Sequence, residues 1–375
     1  MGSRQKKIKT EMKNIQHPLF GISLKNWIKI LSKNGGVDMR YLPRALFITI
    51  SSIGIMPARF LFKILYETKI EKTKITKPPV FIIGHWRSGT TFLHELLSYD
   101  PQFSYVTLWN TLLPDSYLIL NPMKNFLSQF LPSTRPMDQV KVAADGPYEE
   151  EAGLSVLYDW SFFHALHFPR NAEQQYLKSI HFQDFTKEEL ENWKKIYLKF
   201  MKTVTFENSG KRLILKNPPN STRIKELLDI FPDAKFIHIY RNPYKVYLST
   251  KKMRTKVLDK LALQDAYEDD IENQVINNYI RLMNSFFKQK NKIPDKNFIE
   301  IINEDLVANP LRQVQLIYDK LKLPDFNKAK PYLEKYLESK KDYKTNVYSI
   351  DKKIIDKVKK NWDFTIDKWN YKPPE

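Results

Sequence analysis

Short apolar runs alternate with amphipathic stretches through most of the chain. Val80-Phe81-Ile82-Ile83 follows the turn signal Pro78-Pro79 and reads as a buried strand. The stretch from Thr90 to Ser98 then has helical periodicity. The same alternation returns further on. Arg212-Leu213-Ile214-Leu215, Lys235 to Tyr240 and Phe298 to Ile302 read as strands. Between and after them, helices are predicted over Ser221 to Phe231, with Ser221 as N-cap, after Pro243, and from Pro310 to Lys320. Apolar strands alternating with helices predict an α/β domain: a central parallel sheet with helices on both faces.

The rest of the chain departs from this rhythm. Residues 1–77 are basic and helical in pattern and predict an N-terminal extension. The α/β domain is expected over 78–375, and within it residues 101–207 form a largely helical, aromatic-rich insertion that includes a helix over Lys187 to Thr203. Beyond residue 321 the chain is Lys-rich and partly helical. Ala45 to Ala58 carries no formal charge, is bounded by Arg44 and Arg59, and is broken by Gly54 and Pro57. A spanning helix needs about 20 apolar residues, so no transmembrane segment is expected. Two readings stand: helices packed on the main domain, or a patch over 45–66 lying in a membrane interface. Met1 to Lys13 is basic and polar with no apolar run directly after it, which argues against a secretory signal.

Composition narrows the chemistry. The chain has 375 residues, 42% of them hydrophobic, enough for a sizeable core. It has no cysteine, which excludes disulfides, thiolate metal sites and a cysteine nucleophile, and agrees with a cytoplasmic protein. No His and carboxylate cluster has metal-ligand spacing, so no metal is expected. A net charge of +19 points to anionic partners: nucleic acid, a membrane surface or a phosphorylated small molecule. No helix-turn-helix, RNA-recognition aromatic pair or basic zipper is evident, so nucleic acid is not expected. Much of the excess lies at the ends: residues 1–44 hold ten Lys and Arg against two acids.

Glycine is scarce, ten in all, and two lie five apart in Gly84-His85-Trp86-Arg87-Ser88-Gly89-Thr90-Thr91. Strand, Gly-x-x-x-x-Gly and helix start form a phosphate cradle, in which backbone N–H groups and the helix N-terminus point at an anion. A nucleotide triphosphatase loop would carry lysine at position 90. Here position 90 is Thr, and the basic residue comes earlier, at Arg87.

This segment resembles the 5′-phosphosulfate loop of sulfotransferases that use 3′-phosphoadenosine 5′-phosphosulfate (PAPS), with Trp86 where many members have Pro. The bacterial and Golgi-like branch of that family is the better match. Its 3′-phosphate motif is a strand ending in Arg with Ser eight residues on, matched here by Arg241 and Ser249 after Phe236-Ile237-His238-Ile239-Tyr240. Leu215-Lys216-Asn217-Pro218 is similar to a Leu-Lys-x-Pro strand end of the same branch, and Ile302-Asn303-Glu304-Asp305-Leu306 to its Tyr-Glu-Asp-Leu segment. The resemblance covers residues 78–100 and 212–320 and implies a P-loop-like sulfotransferase fold. It implies that Arg87, Ser88, Gly89, Thr90, Thr91, Arg241 and Ser249 bind PAPS.

Sulfuryl transfer needs positioning and cations at the oxygens that gain charge. Arg87 and Lys216 are the candidates, and His85, beside the loop, is a base or a sulfate-orienting group. Asp145-Gly146-Pro147-Tyr148-Glu149-Glu150-Glu151 is similar to the family's Pro-x-Glu-Asp-Glu segment and offers a general base, with Glu149 or Glu150 ahead of Glu151. Carboxylates after Gly-Pro also suit a helix N-terminus, and His94, His164 and His167 are rival bases. Trp160, Phe162, Phe163 and Phe168, with Trp109 and Tyr148, are either core or the lining of an apolar acceptor pocket. A pocket would suit a sterol or lipid alcohol. The competing readings are a degenerate P-loop kinase or NTPase and a non-enzymatic basic membrane-surface or nucleic-acid binder.

Overall fold

The structure is a computed structural model describing residues 16–129, 131, 134, 142–341 and 350–373. The chain divides into two compact units, and neither is one continuous stretch. The first comprises residues 1–77, 105–211 and 253–271; the second comprises 78–104, 212–252 and 272–375. The N-terminal 77 residues therefore cluster with the stretch read as an insertion, and a unit boundary recurs at 77/78.

The second unit holds the sheet. Five strands, β1 (Val80–Ile83), β2 (Phe103–Ser104), β3 (Arg212–Lys216), β4 (Lys235–Tyr240) and β5 (Phe298–Ile302), pair in the order β2-β3-β1-β4-β5. Every pairing is parallel. All four residues of β1 are buried, as are the four central residues of β4. Successive strand side chains point to opposite faces, so both faces are covered. The apolar runs are unbroken for this reason. β2 was not expected: it is two residues long, too short for a periodic signal, and pairs with Arg212 and Leu213 at the sheet edge.

The chain leaves β1 towards β2 and β3 on one side, then crosses to β4 and β5 on the other. That reversal makes the carboxyl end of β1 the topological switch point, where ligands of open α/β sheets bind. One helical expectation needs correction. Ser221 is not an N-cap: it lies in a 3-10 turn, Pro218–Thr222, before the short helix Ile224–Ile230, and its hydroxyl serves β1 instead. The helix Glu268–Gln289 was also not anticipated.

The first unit is built from helices. Thr186 and Glu189 form a capping box that starts the helix Lys187–Glu207. Ser23 caps Leu24–Lys33, accepting from Asn26 N at 3.2 Å. Trp27 is buried in a core with Leu19, Ile30, Tyr41, Ile48 and Phe168, and its indole N–H donates to Thr49 Oγ1 at 3.0 Å. The uncharged stretch becomes two helices, Leu42–Gly54 and Met56–Lys72, bent at 40° across the break. Pro57 at the start of the second helix has no N–H to continue the first. No single described helix is long and apolar enough to cross a membrane.

Candidate active site

The loop after β1 is shaped by three residues with positive φ: Gly84 at +145°, Arg87 at +68° and Gly89 at +104°. At Gly84 an added Cβ would lie 2.3 Å from the Ile239 carbonyl oxygen of β4; at Gly89 it would lie 2.0 Å from Asn303 Oδ1. The two glycines thus let the loop pass close over β4 and over the residue following β5. Arg87, with a side chain, pays a conformational cost to hold the same hand of backbone, as residues at ligand sites often do. Gly84 N–H donates to Ser221 Oγ at 2.9 Å, which ties the loop to the turn after β3. Gly89 is the N-cap of the helix Thr90–Ser98, so the first-turn N–H groups of that helix face the loop.

Three of the expected donor-binding residues meet directly. Arg87 Nε donates to Ser249 Oγ at 2.9 Å, across 162 positions of sequence. Arg241 Nη1 donates to the Arg87 carbonyl at 3.3 Å. The residue ending β4, the loop after β1 and the helix Pro243–Leu261 therefore share one hydrogen-bonded cluster. Thr250, next to Ser249, donates its hydroxyl to the Trp86 carbonyl at 3.4 Å. Ser88 and Thr90 are buried, and Ser88 Oγ has no hydrogen-bond partner. A buried unpaired hydroxyl costs about 1–3 kcal/mol, and a phosphate or sulfate oxygen in the cradle would satisfy it. Two arginines, a helix N-terminus, an unpaired serine hydroxyl and glycines that admit close approach fit an anionic phosphosulfate group.

Lys216 ends β3 and pairs in register with Ile82 of β1. It is 3% exposed, so its ammonium belongs to the interior of the second unit. His94, on the helix behind the loop, is held near pKa 3 by burial and by the positive charge of Lys216. Its Nε2 lies 3.4 Å from the Ile214 carbonyl. It is a neutral packing group rather than a base. His85 is buried, with Nδ1 2.9 Å from the Trp86 carbonyl and its ring edge-on to Tyr279 at 4.8 Å between centroids. A carbonyl only accepts, so Nδ1 carries the proton, and Nε2 is the basic nitrogen of the neutral ring.

The acidic run lies in the first unit. Glu149 is the N-cap of the helix Glu150–Leu157, and Glu150 and Glu151 are buried in its first turn. Their partners differ. Glu151 Oε1 accepts from Ser161 Oγ at 2.9 Å and from Phe162 N at 3.1 Å, holding the start of the helix Phe162–His167. Glu150 Oε1 accepts from Tyr197 Oη at 3.1 Å. Glu151 thus helps to hold the start of the helix Phe162–His167.

His164 and His167 are fully buried, and burial keeps both below the usual imidazole range. His164 Nε2 donates to the Ser155 carbonyl at 2.9 Å. Phe168 belongs to the core around Trp27, and Trp109 packs with Leu112, Leu113, Tyr117 and Tyr148. Phe168 and Trp109 are core residues, and Tyr148 is partly buried against Trp109's cluster. Trp160 and Phe162 are buried too, and Lys33 Nζ lies 4.2 Å from the centre of the Trp160 ring.

Sequence reasoning missed Ser221, Thr250 and Asn303 as parts of the cradle. Nothing local marks them; only the strand order, which sets β3 and β4 on either side of β1, brings them to the loop.

The parallel order, the switch point and the glycine loop define a P-loop-like α/β protein built around an anion cradle. Residues 78–328 match the sequence profile of the Sulfotransferase family. Over 309 residues the chain is 34% identical to omega-hydroxy-beta-dihydromenaquinone-9 sulfotransferase Stf3 of Mycobacterium bovis, covering 82% of this chain and 79% of that protein. The protein of the same name from Mycobacterium tuberculosis matches to the same extent. Sulfotransferase STF9 from Mycobacterium avium superposes with a TM-score of 0.66 at 14% identity, covering 97% of this chain and 99% of that one. Sulfotransferase STF1 from Mycobacterium tuberculosis H37Rv gives 0.65 at 17% identity, with 90% of each chain covered. These two solved structures share its fold. The chain belongs to the sulfotransferase family, which removes the kinase and non-enzymatic readings.

Proposed function

We propose that the protein uses PAPS to sulfate the hydroxyl of an apolar, lipid-like alcohol. The observation that carries the donor assignment is the Arg87–Ser249 hydrogen bond with Arg241 on the Arg87 carbonyl. It unites the two motifs whose order and spacing resemble those of PAPS-binding enzymes. PAPS supplies the activated sulfuryl group when bound. Arg241 and Ser249 would hold its 3′-phosphate, a dianion that a guanidinium grips through paired N–H donors. The N–H groups of residues 88–91 and the Ser88 and Thr90 hydroxyls would hold the phosphosulfate end. Arg87 and Lys216 would stabilise charge on the oxygens around the transferring sulfur. Glu149 or Glu150 would take the acceptor proton, with His85 as the remaining candidate.

The acceptor assignment rests on the relatives. The proteins named Stf3 are, by name, sulfotransferases of omega-hydroxy-beta-dihydromenaquinone-9, a lipid-like alcohol, and 34% identity over most of both chains favours an acceptor of similar character.

The donor is tested by thermal shift. Saturating 3′-phosphoadenosine 5′-phosphate at a hundred times its Kd stabilises the protein by about 2.7 kcal/mol, raising its Tm by several degrees, while ATP with Mg2+ leaves it unchanged. Arg241→Ala abolishes the shift without lowering the unliganded Tm by a comparable amount. A shift with ATP-Mg2+ alone overturns the donor assignment. The acceptor is tested with labelled PAPS and panels of lipid, sterol, phenol and glycan alcohols; a product from glycans only overturns the apolar assignment.

A further inference from the structure

The two helices Leu42–Gly54 and Met56–Lys72 carry apolar side chains on both sides. One side is buried, through Ile48 and Ser52 on the first helix and Ala58 and Phe62 on the second. The opposite side is exposed. Leu46, Ile50 and Ile53, at i, i+4 and i+7, stand 60%, 61% and 52% exposed. Phe60 and Ile64, again four apart, stand 66% and 61% exposed, with Leu61 beside them. A surface helix of a protein surrounded by water puts charged residues on its outer face. Here the outer face is a continuous apolar stripe crossing the break between the helices, and scattered single exposures do not account for that.

The charges around the stripe are mostly positive. Lys63, Lys69 and Lys72 are exposed on the second helix, and Lys25 and Lys29 flank the exposed Ile28 on Leu24–Lys33. The acids of the second helix are Glu67 and Glu71, and Glu67 forms an ion pair with Lys199 that keeps its carboxyl below the usual range. Residues 1–77 hold sixteen Lys and Arg against four acids, in a chain with 61 and 42. A second copy of this chain would bring the same positive rim against itself, so charge complementarity disfavours self-association. A bilayer with anionic headgroups offers both counterparts: acyl chains for the stripe and phosphates for the lysines.

We propose that the apolar stripe on 42–65, rimmed by Lys63, Lys69 and Lys72, docks the enzyme onto an anionic lipid bilayer as an interfacial, non-spanning attachment. Neither helix alone is long and apolar enough to cross a bilayer, and the exposed stripe with its basic rim runs along both. The inference concerns where the enzyme sits and does not depend on which alcohol it sulfates.

The test is flotation of the full-length protein with vesicles of phosphatidylcholine alone and mixed with phosphatidylglycerol. No acceptor is present, so failure here leaves the transfer reaction untouched. Wild type floats with the mixed vesicles, and less so as salt is raised. The triple variant Ile50→Ser, Phe60→Ser, Ile64→Ser keeps its Tm, because all three side chains already face solvent, and loses about tenfold or more in partitioning. Lys63→Gln with Lys69→Gln lowers partitioning onto mixed vesicles by about fivefold per lysine and leaves that onto phosphatidylcholine unchanged. The proposal is overturned if wild type stays with the aqueous phase, or if the triple variant floats as wild type does. It is also overturned if sedimentation shows a wild-type dimer that the triple variant splits, since a second copy then covers the stripe.

Discussion

Gly84→Ala tests the geometry of the cradle most directly. Gly84 follows the last residue of β1 and holds φ at +145°, a region that L side chains avoid. Non-glycine residues there cost about 1–3 kcal/mol. The new methyl would also lie 2.3 Å from the Ile239 carbonyl oxygen and 3.0 Å from Ser88 Oγ. Ile239 cannot step aside, because it is buried in β4 between β1 and β5 and paired in register with Ile301. Forcing atoms into a packed interior adds about 1–3 kcal/mol. The sum is about 2–6 kcal/mol, a large part of the 5–15 kcal/mol typical of folded proteins. At about 2–4 °C per kcal/mol, the variant should melt at least about 4 °C below wild type. The Gly84 N–H to Ser221 bond shifts with it, so affinity for 3′-phosphoadenosine 5′-phosphate should fall by about tenfold or more, worth about 1.4 kcal/mol. Two companion variants separate the terms. Gly210 has φ +74° and open space around a Cβ, so Gly210→Ala carries only the left-handed backbone cost of about 1–2 kcal/mol. Gly54 has neither positive φ nor a near neighbour, so Gly54→Ala should be neutral or stabilising by up to about 1 kcal/mol. Calorimetry on the three, with titration calorimetry for the nucleotide, ranks them. If Gly84→Ala melts no lower than Gly210→Ala, the close approach to β4 is not a real constraint and the reasoning fails.

Two further outcomes follow from the carboxylates and the histidines. Glu150→Gln, or failing that Glu149→Gln, should lower kcat by about 10² or more with nucleotide binding unchanged. Glu151→Gln, which unsettles the Ser161 and Phe162 contacts, should instead cost about 1–3 kcal/mol of stability; full turnover in both of the first two variants would move the base elsewhere. Burial holds His17 and His94 near pKa 3, against about 6.5 in an unfolded chain. Folded pKa values below the unfolded one mean that only the unfolded state gains protons between about pH 6.5 and 3. Stability is therefore complete above 6.5 and lost as the pH falls, by about 2 kcal/mol per histidine at pH 5. His17→Phe or His94→Leu should flatten the fall of Tm between pH 7 and 5; an unchanged slope in both would show that these rings are not the source.

How much of this was legible in the sequence depended on whether a signal was local. β1, β3 and the middle of β4 are buried on both faces, and that burial writes itself into the chain as mostly apolar runs, whereas β5 is largely half-buried yet still rich in β-formers. β2 is equally real as a hydrogen-bonded strand, but Phe103 and Ser104 span a single pleat and leave no period to detect. Arg87, Arg241 and Ser249 were visible because two short motifs kept their spacing. That Arg87 Nε reaches the hydroxyl of Ser249, so that the two motifs form one cluster, is a property of the strand order and has no sequence signature. The failure over Ser221 has the same origin: a serine before an amphipathic stretch reads as an N-cap, yet β3 lies beside β1, and the hydroxyl receives Gly84 N–H instead.

The acidic run marks the limit of such reading. Glu149, Glu150 and Glu151 are chemically alike and consecutive, and a helix start gives each of them a dull reason to exist. What separates them is the partner each meets. Successive positions on a helix point about 100° apart, so Glu150 and Glu151 project in different directions. Glu151 turns towards the start of Phe162–His167 and receives Ser161 and the Phe162 N–H, while Glu150 turns towards Lys187–Glu207 and receives the Tyr197 hydroxyl. A carboxylate already fixed by a backbone N–H and a hydroxyl has its charge committed to the fold. A phenol hydroxyl can rotate away where a backbone N–H cannot, so the bond between Glu150 and Tyr197 is the more easily exchanged for an acceptor's proton. The preference for Glu150 over Glu151 therefore comes from the kind of donor each meets in space, which no spacing along the chain contains.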